Sequence, residues 1–254
     1  MIIDSHTHWG IVWEDKYGND PSEWLRVCDR HGVDMAVLMG HRGLGVNSDI
    51  RLSNDRIKET ADRSDGRLIP VATVHPDFGE KSILELERCL KDLDMRGLKL
   101  HPWLQGFSLS VPIMDELAKV CAQFDVPVIF HDGTPCYSMP SQVGGLALRC
   151  PGTKFVLGHA GLLDLWRDAL SFGKRCPNLF LTLCGPHQAA LKAIIESIDE
   201  NRILWGTDFG FGWSDPIGYR KGIVDDIPMS KAKRSKIMGL NAVRLFKVVN
   251  PDYS

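Results

Sequence analysis

The sequence predicts a single (β/α)₈ barrel over residues 1–254, and three observations point to it. Short apolar runs rich in β-branched residues alternate with longer amphipathic segments. Eight such runs occur, and their ends recur about every 25–35 residues, the length of one βα unit. Eight of the nine histidines fall just past the carboxyl ends of those runs, the side on which such barrels carry their sites.

The eight strands are expected over 1–4, 34–39, 68–74, 97–100, 126–130, 154–157, 179–183 and 202–205. Their near-continuous apolar character suits a parallel sheet covered by helices. Between them, residues 82–94 place Ile83, Leu86, Leu90 and Leu93 on one face and Glu85, Arg88, Lys91 and Asp92 elsewhere, so a helix is expected. Residues 111–124 place Ile113, Leu117, Val120 and Phe124 on one stripe, with Pro112 tolerated near the start. Segments 54–64, 162–175, 188–197 and 229–247 follow the same period. The weakest helix is 142–149, which contains Gly144 and Gly145. An open doubly wound sheet is the alternative. It would be favoured by a glycine-rich turn after the first strand, where this chain has His6-Thr7-His8.

Hydrophobic residues make up 44% and charged residues 24%, so the core needs no disulfide or structural metal. With a net charge of −2 and no long basic run, nothing argues for a polyanion partner, so no nucleic-acid partner is expected. No apolar stretch reaches ~18 residues, so no membrane span is expected. The start of the chain lacks a cationic region and a signal-like run. Seven cysteines, an odd number without C-x-x-C, read as reduced thiols of a cytoplasmic protein. A nucleophilic Cys136 or Cys184 is the minor alternative.

The histidines suggest a metal. Residues i and i+2 of a strand share a face, so His6 and His8 aim together. Their backbones lie about 6.5–7 Å apart, close enough for both imidazoles to reach one ion. Asp208, at the end of strand eight, lies beside strand one in a closed barrel, where it can complete the site and take a proton from bound water. His131 ends strand five and His159 ends strand six. His131 is favoured as the third imidazole ligand and His159 as the unliganded acid, base or oxyanion stabiliser; the roles are exchangeable. Lys99 and His101 share parity on strand four. Lys99 faces a substrate carboxylate, becomes carboxylated between two metals, or pairs with Asp4. His101 is a second substrate contact. His41, Arg42, His75 and His187 are weaker candidates for the mouth. Trp9, Trp13, Trp103, Phe211 and Trp213 either wall a pocket for a planar organic substrate or pack loops onto the rim.

The ordered motifs "IDSHTHWG", "GLKLHPWLQGF", "VIFHDG", "FVLGHAG", "ILWGTDFGFG" and "IMGLNAVRLFKV" resemble the amidohydrolase superfamily, specifically its amidohydrolase-related metal-dependent hydrolases and decarboxylases. The resemblance spans nearly the whole chain. It implies a (β/α)₈ barrel with one divalent ion, Zn2+ first and Mn2+ or Fe2+ as alternatives. It also implies His6, His8, His131 and Asp208 as metal positions, His159 as the catalytic histidine, and compatibility with a homodimer. The related metal-dependent deoxyribonucleases carry a strand-four glutamate in a "GEIGLD"-like context, which is absent here.

The expected activity is metal-dependent hydrolysis of a lactone, ester or amide in a small organic substrate. The alternative is non-oxidative decarboxylation of an aromatic or unsaturated acid. A barrel that binds a metal or ligand without catalysis is the third reading; burying so many unused polar groups would cost stability.

Overall fold

The computed structural model describes residues 1–45, 49–212 and 214–248. Eight parallel strands form the barrel: β1 (Ile3–Trp9), β2 (Met35–Gly40), β3 (Leu68–Val71), β4 (Leu98–Leu100), β5 (Val128–Phe130), β6 (Phe155–Leu157), β7 (Leu179–Thr182) and β8 (Ile203–Leu204). Hydrogen bonding runs continuously through β1-β2-β3 and through β4 to β8. Two single bridges close the ring, Ala72 to Leu98 between β3 and β4, and Thr7 to Phe209 between β8 and β1. At the second seam, Ser5 N donates to Trp205 O (3.0 Å), Asp208 N to His6 O (2.8 Å) and His8 N to Phe209 O (2.8 Å). These bonds place the end of strand eight against the start of the chain.

β1 continues past the expected end at residue 4 because its polar residues turn inward instead of meeting solvent. All seven of its residues are buried, and Thr7 Oγ1 donates to Val37 O (2.7 Å). Its register with β2 shifts between Asp4 and Thr7.

The helices expected over 54–64, 82–94, 111–124, 142–149, 162–175 and 188–197 appear as α3 (Ile50–Asp62), α4 (Glu80–Lys91), α6 (Ile113–Gln123), α7 (Pro140–Arg149), α8 (Trp166–Arg175) and α9 (Gln188–Ser197). Four more were not anticipated: α1 (Ile11–Tyr17), α2 (Ser22–Arg30), α5 (Pro102–Gln105) and α10 (Ile217–Asp225). The α2 signal was present as Trp24, Val27 and Cys28, all buried and spaced i, i+3, i+4. Gly144 in α7 is where Phe172 of α8 packs; a Cβ there would lie 2.1 Å from the ring. Close helix approach explains a glycine that propensity counts against the helix.

The segment 229–247 is not one helix. It runs as α11 (Lys231–Ser235), a π-turn (Lys236–Leu240) and α12 (Asn241–Leu245). The π-turn leaves Ile237 O to accept from Trp205 N (3.0 Å). Asn241 Nδ2 donates to Glu200 O and Ile203 O, both at 2.7 Å. A Cβ on Gly239 would meet Met1 O at 2.7 Å. The distortion seats α12 beneath the barrel, where Ala242, Leu245 and Phe246 cap a plug that includes Ile3, Val37, Ile129, Val156 and Leu204. The second core layer lies between strands and helices. Among the described residues no helix is long and apolar enough to cross a membrane, and all seven cysteines are free.

Asn54 ties α3 to the chain after β3. Its Oδ1 accepts from Thr73 N (2.9 Å), and its Nδ2 donates to Thr73 O (2.9 Å) and Glu85 Oε1 (2.9 Å). Removing this side chain strands buried backbone groups. Asn54→Ala is expected to cost about 3 kcal/mol and to lower the melting midpoint by several degrees in thermal denaturation. An unchanged midpoint would refute this account of the tie.

Candidate metal centre

Asp208 sits at φ 63°, in the left-handed region that L residues rarely adopt. The Asp208 N to His6 O bond and the bridge at Phe209 impose that conformation, which turns its carboxylate toward β1. Its Oδ1 lies 3.6 Å from His6 Nε2 and 3.4 Å from His8 Nε2. The same oxygen is buried without a hydrogen-bond partner among the described residues. These separations are long for charge-assisted hydrogen bonds, which run about 2.7–2.9 Å. They match the edges of a tetrahedron built from metal–ligand bonds of about 2.1 Å, close to 3.4 Å. The donor set therefore fits a divalent cation.

The shared parity of His6 and His8 is realised: both are buried, their rings 5.3 Å apart. Burial lowers both pKa values, His6 strongly so, and keeps both imidazoles neutral, the state a metal requires. Burial pushes the Asp208 carboxyl up, but the His8, His159 and His6 imidazoles facing it hold it well below the usual carboxylate range.

Among the described residues, the ligand atoms of His6, His159 and Asp208 lie within 4.8 Å of one another. His131 is not in that group. Its Nε2 meets Thr134 Oγ1 at 3.0 Å, and its ring stacks on His101 at 3.8 Å and on the edge of His159 at 4.5 Å. His101 lends Nδ1 to the Leu104 N–H (3.3 Å), capping α5, and burial pushes its pKa down to about 2. His159 is buried and drawn down to about 4 by burial, so it is neutral at pH 7.

Lys99 is fully buried, and burial lowers it to about 8. Its Nζ lies 3.1 Å from His6 Nε2. Among the described residues it forms no ion pair with Asp4. That carboxylate serves the backbone instead, accepting from His6 N (3.2 Å), Thr207 N (3.0 Å) and Thr207 Oγ1. Burial raises Asp4 to about 7 against those donors.

One supporting group, Asp132, escaped the sequence reading, and a second, Cys184, stands in a different role from the nucleophile considered there. Asp132, immediately after His131, accepts from His159 N and Gly161 N, both at 2.6 Å, and so shapes the turn that carries His159. Its place directly after an apolar strand was the available signal, since a carboxylate buried there needs donors. Cys184 Sγ lies 3.2 Å from His159 Nδ1 and 2.9 Å from Gly158 O, and burial pushes its thiol pKa well above the usual value. A protonated, buried thiol is no nucleophile. Cys136, the other cysteine considered, is exposed at φ 69°.

The weaker candidates divide. His41 stacks edge-on against Phe211 (4.4 Å), which stacks against His8 (5.3 Å), so both rings border the centre. His41 and Arg42 also line a cavity of about 420 Å³ beside it. His75 and His187 accept backbone N–H groups at helix starts. Trp103 is exposed at the rim. Trp9 and Trp13 are not pocket walls; both are buried, with Trp13 packed on Phe209. Trp213 lies outside the described residues.

Glycines make room for His6. A Cβ on Gly158 would lie 2.5 Å from His6 Cε1 and 2.5 Å from Phe130 O. Gly158→Ala is therefore expected to displace the ring and weaken metal binding at least tenfold, read by competition with a chelating dye. Wild-type affinity in a folded Gly158→Ala protein would contradict this.

Neutral imidazoles and an ionised carboxylate, gathered where parallel barrel strands end, define a metal-dependent barrel enzyme. The chain belongs to the amidohydrolase family, which it matches over residues 3–248. It is 25% identical to gamma-resorcylate decarboxylase of a Polaromonas species, over 88% of this chain and 86% of that protein. It is 22% identical to 2-amino-3-carboxymuconate-6-semialdehyde decarboxylase of Dictyostelium discoideum, over 88% and 76%. Among solved structures, 2,6-dihydroxybenzoate decarboxylase complexed with 2,6-dihydroxybenzoate superposes with a TM-score of 0.75 at 20% identity, covering 97% of this chain and 99% of that one. A dihydroxybenzoic acid decarboxylase from Polaromonas, with bound manganese and 2-nitroresorcinol, superposes at 0.73 and 19% identity, covering 99% and 98%.

Proposed function

We propose that this enzyme is a metal-dependent, non-oxidative decarboxylase of a small aromatic or unsaturated carboxylic acid. The similarity to decarboxylases along most of the chain favours this alternative over the hydrolysis expected first. The structural observation that carries it is the convergence of His6, His8 and Asp208 beside a buried lysine.

His6, His8 and Asp208 would hold the ion. His131, at the end of β5, is the proposed fourth position, and His159, whose ligand atom lies within 4.8 Å of those of His6 and Asp208, competes for it. The bound cation would supply a Lewis acid for the oxygens of the substrate. Zinc is the first candidate; the manganese in the related decarboxylase structure makes Mn2+ an equal one to test.

The chain's own groups do the rest. Lys99, at the floor of the site, offers a positive charge to an anionic substrate where water is excluded. Phe211 and Trp103 present exposed rings at the rim to a planar substrate. His159 faces the same centre as a neutral proton acceptor. Asp208 is ionised; it would take a proton from water and deliver it to the carbon whose bond to the departing CO₂ breaks, the electron pair of that bond forming the new C–H bond.

The test is release of CO₂ from a panel of hydroxybenzoic and unsaturated diacids by the Mn2+- or Zn2+-loaded enzyme, run beside lactones, esters and amides. Turnover confined to the second group would replace decarboxylation by hydrolysis. Metal content of two variants assigns the fourth position. His131→Ala is expected to lower metal affinity at least tenfold, with His159→Ala nearer wild type. The opposite order would exchange their roles.

A further inference from the structure

We infer that Cys184 is a positioning residue that fixes His159 as the Nδ1–H tautomer and leaves the Nε2 lone pair to the site. This rests on the reading above that His159 works at the centre. Cys184 is buried just past β7, with its Sγ 2.9 Å from Gly158 O and 3.2 Å from His159 Nδ1. A carbonyl oxygen cannot donate, so the short sulfur–oxygen approach requires the thiol proton between them. The sulfur then turns only lone pairs toward Nδ1, and Nδ1 must bring the proton. A neutral imidazole carries one N–H, so Nε2 is bare.

The surroundings hold this arrangement from both sides. Asp132 anchors the backbone N of His159 at 2.6 Å. Gly185, next to Cys184, is pressed onto the same turn, so a Cβ there would lie 2.2 Å from His159 O. The thiol and the imidazole therefore cannot drift apart without moving the turn after β6. The consequence is chemical. In the resting enzyme His159 accepts a proton or coordinates through Nε2; it does not open the reaction by donating one. Serine would supply the same donor and acceptor as the thiol, and alanine neither.

The test is long-range 1H–15N spectroscopy of enzyme labelled with 15N-histidine, metal-free and Zn2+-loaded, with the His159 signals assigned by their loss in His159→Asn. Wild type and Cys184→Ser are expected to show His159 protonated at Nδ1 alone. Cys184→Ala is expected to populate the Nε2–H form and to lower kcat about tenfold with KM unchanged, Cys184→Ser restoring it. A wild-type His159 protonated at Nε2 overturns the inference even if no variant folds. So does a Cys184→Ala protein that keeps the wild-type tautomer. A tautomer that shifts without any change in turnover supports the positioning and removes His159 from the reaction.

Discussion

Asp208→Asn is expected to lower turnover by roughly 10³-fold or more while the barrel stays folded. Asparagine is the right probe because the position lies at φ 63°, and Asn tolerates the left-handed region nearly as well as Asp. The backbone bonds at the seam, Asp208 N to His6 O and His8 N to Phe209 O, do not involve the side chain and persist. What disappears is the negative charge 3.4 and 3.6 Å from two neutral imidazoles. Without it the cluster binds a cation less tightly and has no carboxylate to carry a proton. Steady-state CO₂ release and a thermal melt on the same preparation check both halves. Near-wild-type turnover would eliminate Asp208 from the mechanism.

The second large effect is on the metal itself. Wild-type protein is expected to retain about one ion per chain, and the His6→Ala/His8→Ala double variant essentially none, by plasma mass spectrometry. Removing two imidazoles leaves Asp208 with His159 as the remaining imidazole of the three that face it, and one imidazole does not restore the geometry. Turnover should fall with the metal, and added Mn2+ or Zn2+ should not rescue the variant. About two ions in the wild type would bring Lys99 forward as a carboxylated bridge, since its Nζ lies only 3.1 Å from His6 Nε2. A folded wild type that takes up no ion after reconstitution would remove the centre altogether.

The legible parts of this molecule were the local ones. β5 and β6 were visible as bounded apolar runs, because a strand buried on both faces needs no solvent-facing alternation. The common aim of His6 and His8 followed from the period of a strand. α1 and α10 were missed because they are short and bury few side chains, Trp13 in α1 and Ile217 and Val224 in α10, so neither shows a long amphipathic stripe. The break in 229–247 was equally hidden. Its period is helical throughout, and only the approach of Gly239 to Met1 O and the demand of Trp205 N for a carbonyl make the π-turn favourable. Trp9 and Trp13 follow the packing reading of the two open to them, because residues near a strand end are rim or core according to what folds over them.

The sequence by itself determined the barrel class, the family, and which side chains stand at the carboxyl ends of the strands, since each depends on spacing within a few residues. Ring closure decided the rest. Asp208 meets His6 and His8 only because strand eight bonds to strand one across some two hundred residues. Lys99 meets His6 and not Asp4 across the barrel, and Cys184 meets His159 from the adjoining strand end, because the closed ring brings those strand ends together. Which imidazole stands nearest a metal position is settled by distances of a few ångströms between distant segments, and a linear spacing does not contain those distances.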